Sequence, residues 1–105
     1  MKPWIFAAVM LSSVAGPALG QELGDAVAGY SYATEICSEC HAVGGGEAAS
    51  PVFDAPSFQA IANQPEMSDL ALTVFFQSPH PSMPNLVVPS ADARNLIAYI
   101  RGLSP

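Results

Sequence analysis

Basic residues are scarce in this 105-residue chain, which has three lysines and arginines against nine aspartates and glutamates and a net charge of −6. Residues 21–105 contain only Arg94 and Arg101 as basic residues together with all nine acids, so this stretch carries a charge of −7. An acidic surface of this kind is repelled by phosphate backbones and by anionic lipid. The composition therefore argues against nucleic acid or an anionic membrane surface as a partner.

A long hydrophobic run is also missing. The apolar stretch at 4–11 is shorter than the ~20 residues that a membrane-spanning helix needs. It follows the positively charged Lys2 and precedes a stretch of small residues that ends at Gly20, which is the pattern of a secretory signal peptide. We predict that residues 1–20 are a signal peptide cleaved after Gly20. The product, residues 21–105, is expected to be a periplasmic domain with no membrane span.

The sequence has no stretch of alternating polar and apolar residues and no internal repeat, so strands are not expected. Helical spacing, N-cap residues such as Ser68 and Ser90, and the positions of proline and glycine predict an all-α domain. We expect four short helices at about residues 25–39, 57–63, 68–77 and 90–102.

Two long loops separate these helices. Residues 44–55 begin with three glycines, and residues 78–89 hold four prolines that stiffen the backbone. Loops of this length in a small domain need something to pack against. An 85-residue product also has a modest core, and such domains often rely on a covalent or metal constraint.

A C-x-x-C-H motif at residues 37–41 indicates what that constraint is. On a helix, Cys37, Cys40 and His41 share one face because they are three and four residues apart. Two thiols can then form thioethers with the vinyl groups of one haem, while the imidazole reaches the iron. This motif is the attachment signature of c-type haem, so we predict one haem c bound covalently through Cys37 and Cys40, with His41 as an iron ligand.

Three other interpretations of the two cysteines are weaker. A thiol–disulfide redox site is typically accompanied by a βαβ pattern, which is absent. A zinc site would have to use His41 and His80, and a histidine directly after Cys40 departs from zinc-ligand spacing. A structural disulfide between Cys37 and Cys40 would close only a very small loop and constrain little.

An electron-carrying haem iron needs a second axial ligand from the protein, and methionine opposite histidine raises the reduction potential. The candidates in residues 21–105 are Met67, Met83 and His80. Met67 directly precedes a predicted helix, where packing is the usual role. Met83 lies in the proline-stiffened loop, which can hold a weak thioether ligand in place. We predict Met83 as the second ligand, with His80 as the minor alternative.

Taken together, the motifs resemble those of the class I c-type cytochromes, in particular the small soluble bacterial monohaem members. The resemblance covers residues 21–105 and is carried by the motif at 37–41, by Ser82-Met83-Pro84, and by the apolar segment at 96–100, in that order. It implies a cytochrome c-like fold in which about four short helices wrap around one haem.

The resemblance also implies a close crossing of the first and last helices. Gly29 matches the small contact residue of the first helix, and Leu96 and Tyr99 match its partners in the last. This chain departs from the family at Ala33, where an aromatic residue is common, and Tyr32 is expected to fill that space.

A further implied contact supports the proximal histidine. In the family, a proline carbonyl after the haem motif accepts a hydrogen bond from the imidazole, which orients the ring and raises its basicity. Pro56 is the better candidate for the carbonyl that accepts this bond from His41, and Pro51 is the alternative. The tryptophan that contacts a haem propionate in many members has no counterpart in residues 21–105.

The implied function is electron transfer between redox proteins, with no enzymatic activity of the chain itself. We expect a monomer whose partners are a dehydrogenase and an oxidase or reductase, with a basic docking patch on the partner to match the acidic carrier. Two alternatives stay open. The chain can be a dedicated subunit of a larger redox enzyme, or a ligand-binding or peroxidatic haem protein with an open iron position.

Overall fold

The computed structural model describes residues 3–5, 7–12, 24–79, 82–83 and 87–105. In these ranges it contains four α-helices and no strand, which confirms the predicted all-α class. The predicted cleavage point after Gly20 lies outside the described residues. The helices are α1 (Ala26–Tyr32), α2 (Phe58–Ala62), α3 (Asp69–Gln77) and α4 (Ser90–Gly102).

Side-chain caps explain where the first three helices begin. The Asp25 carboxylate accepts hydrogen bonds from the first free amides of α1, including that of Val27 at 2.9 Å. The hydroxyls of Ser57 and Ser68 do the same for α2 and α3, each at 3.1 Å. Each cap satisfies an amide that has no partner inside the helix, which matters most in helices this short.

The start of α4 differs from the prediction by one residue. Ser90 is the first helical residue and makes no capping bond, and Pro89 occupies the N-cap position with a φ of −54°. The Pro89 carbonyl accepts the first helical hydrogen bond, from the Ala93 amide at 2.9 Å. The ring of Pro89 restricts its φ, which fixes the direction in which the chain enters α4.

The predicted helix at 25–39 is also interrupted. After α1 the chain continues through a π-helical turn, Ala33–Cys37, in which the Ser38 amide bonds the Ala33 carbonyl five residues back at 2.9 Å. A π-turn holds one more residue than an α-turn, so it rotates everything after it by about 100° relative to an uninterrupted α-helix. The orientation of the cysteine motif relative to α1 therefore depends on this turn.

The closest helix packing is the crossing of α1 and α4, as the resemblance implied. A methyl group at Gly29 would overlap the backbone of Asn95 and touch that of Leu96. Leu96 is fully buried and Ile100 nearly so, which places the centre of the core at this crossing. The Asn95 side chain also accepts a hydrogen bond from the Asp25 amide at 2.8 Å, so the start of α1 is tied to α4.

Helix α3 is joined to the end of α4 by one arginine. Arg101 forms an ion pair with Asp69, with 3.1 Å between Nε and the carboxylate, and donates a hydrogen bond of 2.9 Å to the Met67 carbonyl. The Met67 side chain packs against the buried cluster, as expected for a packing methionine. Within the described ranges, no helix is long and apolar enough to cross a membrane.

Candidate functional site

The C-x-x-C-H motif forms a single tight turn at the end of the π-helical segment. The amides of Cys40 and His41 both donate hydrogen bonds to the Cys37 carbonyl, at 3.2 and 2.9 Å. Cys37 is only 8% exposed, whereas Cys40 lies at the surface, and both thiols are free. The turn therefore keeps two unpaired thiols and an imidazole within a few residues of one another, one thiol inside the domain and one at its surface.

The chemistry of Cys37 does not suit a thiol–disulfide redox site. Burial raises the pKa of its thiol to about 11, and the neighbouring Cys40 adds to the effect. Redox-active cysteines react as thiolates and have a lowered pKa. Burial therefore makes the Cys37 thiol a poor nucleophile for thiol–disulfide exchange.

His41 is held by a hydrogen bond that it donates to the adjoining loop. Its Nδ1 lies 2.6 Å from the carbonyl oxygen of Pro56, and because a carbonyl only accepts, Nδ1 carries the hydrogen. In the neutral ring the other nitrogen, Nε2, then has a free lone pair that can bind a metal. The expected contact involves Pro56 and not Pro51.

The loop that carries Pro56 is itself anchored to the motif. The Ala42 amide bonds the Ser50 hydroxyl at 3.0 Å, and the Ala42 carbonyl accepts the Phe58 amide at 2.9 Å. The Phe58 ring lies 5.5 Å from the His41 ring, centroid to centroid. These contacts hold the imidazole in one orientation, because both its hydrogen-bond acceptor and the neighbouring ring belong to the same anchored segment.

Helix α4 supports this loop through Tyr99. The Tyr99 hydroxyl donates a hydrogen bond to the Val43 carbonyl at 2.6 Å, and its ring lies between those of Tyr30 and Phe58, at 5.3 and 6.4 Å. The sequence predicted Tyr99 only at the helix crossing and did not predict this second role. No local pattern could have revealed it, since Val43 and Tyr99 are 56 residues apart.

The second predicted iron ligand lies in a segment that is described only in part. Met83 is half-buried and follows a turn residue, Ser82. The alternative ligand, His80, lies outside the described residues, as do Pro81 and Pro84. The ligand role of Met83 thus stays a prediction, while the structure does bring Cys37, Cys40 and His41 together with Pro56.

Comparison with known proteins identifies the family. Over 96 residues the chain is 33% identical to cytochrome c-552 of Bradyrhizobium diazoefficiens, and the match covers 91% of each chain. The chain belongs to the c-type cytochromes. No protein-family model and no solved structure matches it. Membership confirms the resemblance drawn from the motifs, and it makes this cytochrome a haem-containing electron carrier.

The residues around the motif fit haem c. Two free thiols are available for thioether bonds, and the hydrogen bond to Pro56 leaves Nε2 of His41 as the ring nitrogen with a free lone pair. Elsewhere in the part of the cytochrome that the structure describes, no group of three or more histidine, cysteine or acidic side chains is arranged to hold a metal ion. The zinc interpretation would also need His80, which lies outside the described residues.

Proposed function

We propose that this cytochrome is exported to the periplasm and carries single electrons between redox proteins through one covalently bound haem. Cys37 and Cys40 would hold the haem as thioethers, and His41 and Met83 would ligate its iron. When bound, the haem supplies a ferric–ferrous couple. The contribution of the chain is to hold the ligands still.

The observation that carries this proposal is the fixed imidazole of His41. The hydrogen bond to Pro56 sets the tautomer and the ring orientation, and it makes the coordinating nitrogen a stronger donor. Since Phe58 packs beside the ring, rotation of the imidazole is also restricted. A ligand held this way changes little when the charge on a bound metal changes, which favours fast electron transfer.

The attachment chemistry follows from the two thiols. Each thiol would add its S–H across one vinyl group of the porphyrin, so that a C–S bond forms and nothing leaves. The burial of Cys37 keeps that thioether inside the domain, while Cys40 holds the other side at the surface. The mechanism uses no general acid or nucleophile of the chain, so we infer a carrier and not an enzyme.

Export is supported by the N-terminal sequence. The short apolar run after Lys2 and the small residues before Gly20 suit cleavage to residues 21–105. The strongly acidic product is expected to be a monomeric shuttle, because copies of like charge repel one another.

The test is the fate of the haem in purified periplasmic protein. Acidified organic solvent should leave the colour on the polypeptide, and the intact mass should equal that of residues 21–105 plus one haem. Replacing both cysteines (Cys37→Ala with Cys40→Ala) should abolish the holoprotein. Ser38→Ala is the matched control inside the motif and should retain the haem. Extraction of haem from the wild type by solvent would overturn the proposal.

A further inference from the structure

The backbone on both sides of His41 is held by one short segment of the following loop. The Cys40 carbonyl, which precedes His41, accepts a hydrogen bond from the Val52 amide at 3.2 Å. The Ala42 amide, which follows His41, donates a hydrogen bond to the Ser50 hydroxyl at 3.0 Å. These two bonds hold the two peptide groups that flank the histidine. The segment therefore controls where the His41 side chain leaves the backbone.

We use the name clamp for Ser50, Pro51 and Val52. The ring of Pro51 restricts its φ, so the backbone between the two bonding residues has little freedom to change their spacing. Pro51 thus acts on the backbone of His41, whereas the carbonyl that accepts the hydrogen bond from the His41 ring belongs to Pro56. The loop therefore holds the histidine at two places, its backbone and its side chain.

Only one bond of the clamp depends on a side chain. Val52 uses its backbone amide, which any residue other than proline would supply. The Ser50 hydroxyl, by contrast, is the partner of the amide of Ala42, a residue that is 5% exposed. A buried amide that loses its partner costs free energy, so the backbone around it shifts to find another. The position of Ala42 therefore depends on the residue type at position 50.

The position of Ala42 in turn affects the imidazole of the residue before it. Nδ1 of His41 lies 2.6 Å from the Pro56 carbonyl oxygen, and a hydrogen bond weakens steeply when its angle departs from the preferred range. The Ala42 carbonyl is also held, by the Phe58 amide at 2.9 Å. With both of its peptide groups held, Ala42 keeps the His41 backbone where the ring reaches Pro56. Loss of the Ser50 bond would release one of these two constraints.

We propose that Ser50 is a positioning residue for His41, and that its hydroxyl lowers the reduction potential of the cytochrome by holding the imidazole against the Pro56 carbonyl. The inference rests on the proposed ligation of haem iron by His41. The bond to Pro56 makes the other ring nitrogen a stronger donor. A stronger donor stabilises ferric iron more than ferrous iron, because the ferric ion carries the larger positive charge.

The test is a redox titration of the Ser50→Ala holoprotein. A direct partner of a metal ligand is worth tenfold or more in metal affinity, and Ser50 acts one residue further away. The equilibrium constant for reduction of the iron should therefore rise about threefold, which is about 28 mV for one electron. The proton magnetic resonance of Nδ1–H of His41 in the ferrous protein should move upfield, because a weaker hydrogen bond deshields the proton less.

Ser68→Ala is the matched control, because it removes a bond of the same kind away from the histidine. The Ser68 hydroxyl accepts a hydrogen bond from the Ala71 amide at 3.1 Å and caps α3. Its loss should lower the free energy of unfolding by about 1 kcal/mol, as loss of a cap typically does, and leave the potential and the Nδ1–H resonance unchanged. Ser50→Thr keeps a hydroxyl and should retain the wild-type potential.

A wild-type potential in Ser50→Ala would overturn the positioning role and leave haem attachment intact. An equal shift in Ser68→Ala would also overturn it, since the potential would then follow general stability. If Ser50→Ala fails to retain haem, Ser50→Thr decides: a wild-type potential supports the role of the hydroxyl, and a shifted potential removes it. A wild type without covalent haem would instead overturn the proposed function itself.

Discussion

Met83 carries the most informative single-residue prediction. It lies 42 residues after His41, far enough along the chain to reach the opposite face of a haem. If its sulfur is the second ligand, Met83→Ala should keep the haem attached but open one iron position. Carbon monoxide should then bind readily to the ferrous protein, and the reduction potential should fall because a thioether favours the ferrous state. Optical difference spectra and redox titration measure both effects.

Met67→Leu is the control for this experiment. The Met67 side chain packs against the core, and leucine of similar volume can replace it there at small cost. That variant should keep the wild-type spectrum and potential. A normal potential in Met83→Ala would contradict the assignment and turn attention to His80.

Tyr99 supplies a second test at the same scale. Tyr99→Phe keeps the ring between Tyr30 and Phe58 but removes the hydroxyl that bonds the Val43 carbonyl. The free energy of unfolding should fall by about 1 kcal/mol, the usual net value of such a bond. Denaturant titration of the holoprotein measures this. Tyr30→Phe is the matched control. It should lower the free energy of unfolding less, because Tyr30 is 48% exposed and phenylalanine keeps its ring contact with Tyr99.

The raised pKa values of Tyr99 and Tyr32 predict a lower stability of the fold at alkaline pH. Desolvation raises the pKa of Tyr99, with smaller contributions from Tyr30 and Glu47, and desolvation also raises the pKa of Tyr32. Below the ordinary tyrosine value of 10.0 both folded and unfolded chains are neutral at these sites. Above it the unfolded chain ionises first, so the free energy of unfolding should fall as pH rises. Tyr99→Phe should make that fall smaller in urea titrations between pH 9 and about 11.

At the scale of helices, the crossing of α1 and α4 sets the tightest constraint. A methyl group at Gly29 would collide with the Asn95 backbone, which cannot yield as a flexible side chain would. Gly29→Ala should therefore lower the free energy of unfolding by about 1–3 kcal/mol, as overpacking typically does. Thermal melts of the holoprotein should show a lower Tm.

Gly102→Ala is the corresponding control at the end of α4. Nothing lies within 4 Å of a methyl group placed there, so alanine is expected to be neutral or to stabilise by up to about 1 kcal/mol through its helix propensity. Equal stability of the two alanine variants would show that the helices do not cross as closely as the structure indicates.

The sequence predicted the existence of all four helices in the described ranges from local signals. Ser68 is the N-cap of α3 as predicted, whereas α2 begins after the N-cap Ser57 and not at Pro56, and the apolar spacing of α4 is that of a helix packed on one side. It did not predict the π-helical turn at Ala33–Cys37, since residues 25–39 contain no proline to interrupt a helix. Such a turn depends on how the segment packs, and local composition does not encode it.

At the scale of the whole molecule, the fold should depend on the haem. The longest described helix is α4 with 13 residues, and α2 has only 5. Isolated helices this short are marginal in water and need packing to form. The variant without both cysteines should therefore be largely unfolded by far-ultraviolet circular dichroism. The wild-type holoprotein is the control, and a helical spectrum with a cooperative melt in the variant would contradict the prediction.

The sequence alone predicted the chemistry of this protein, because haem attachment needs two cysteines and a histidine at fixed short spacing, and residues 37–41 have that spacing. It also determined the charge and the helical class, which follow from composition and periodicity. Only the tertiary structure decided that Tyr99 supports the loop at Val43 and that a π-helical turn, Ala33–Cys37, follows α1. Those features depend on contacts between segments far apart in the chain or on the packing around a side chain. The local sequence encodes neither the contacts nor the packing.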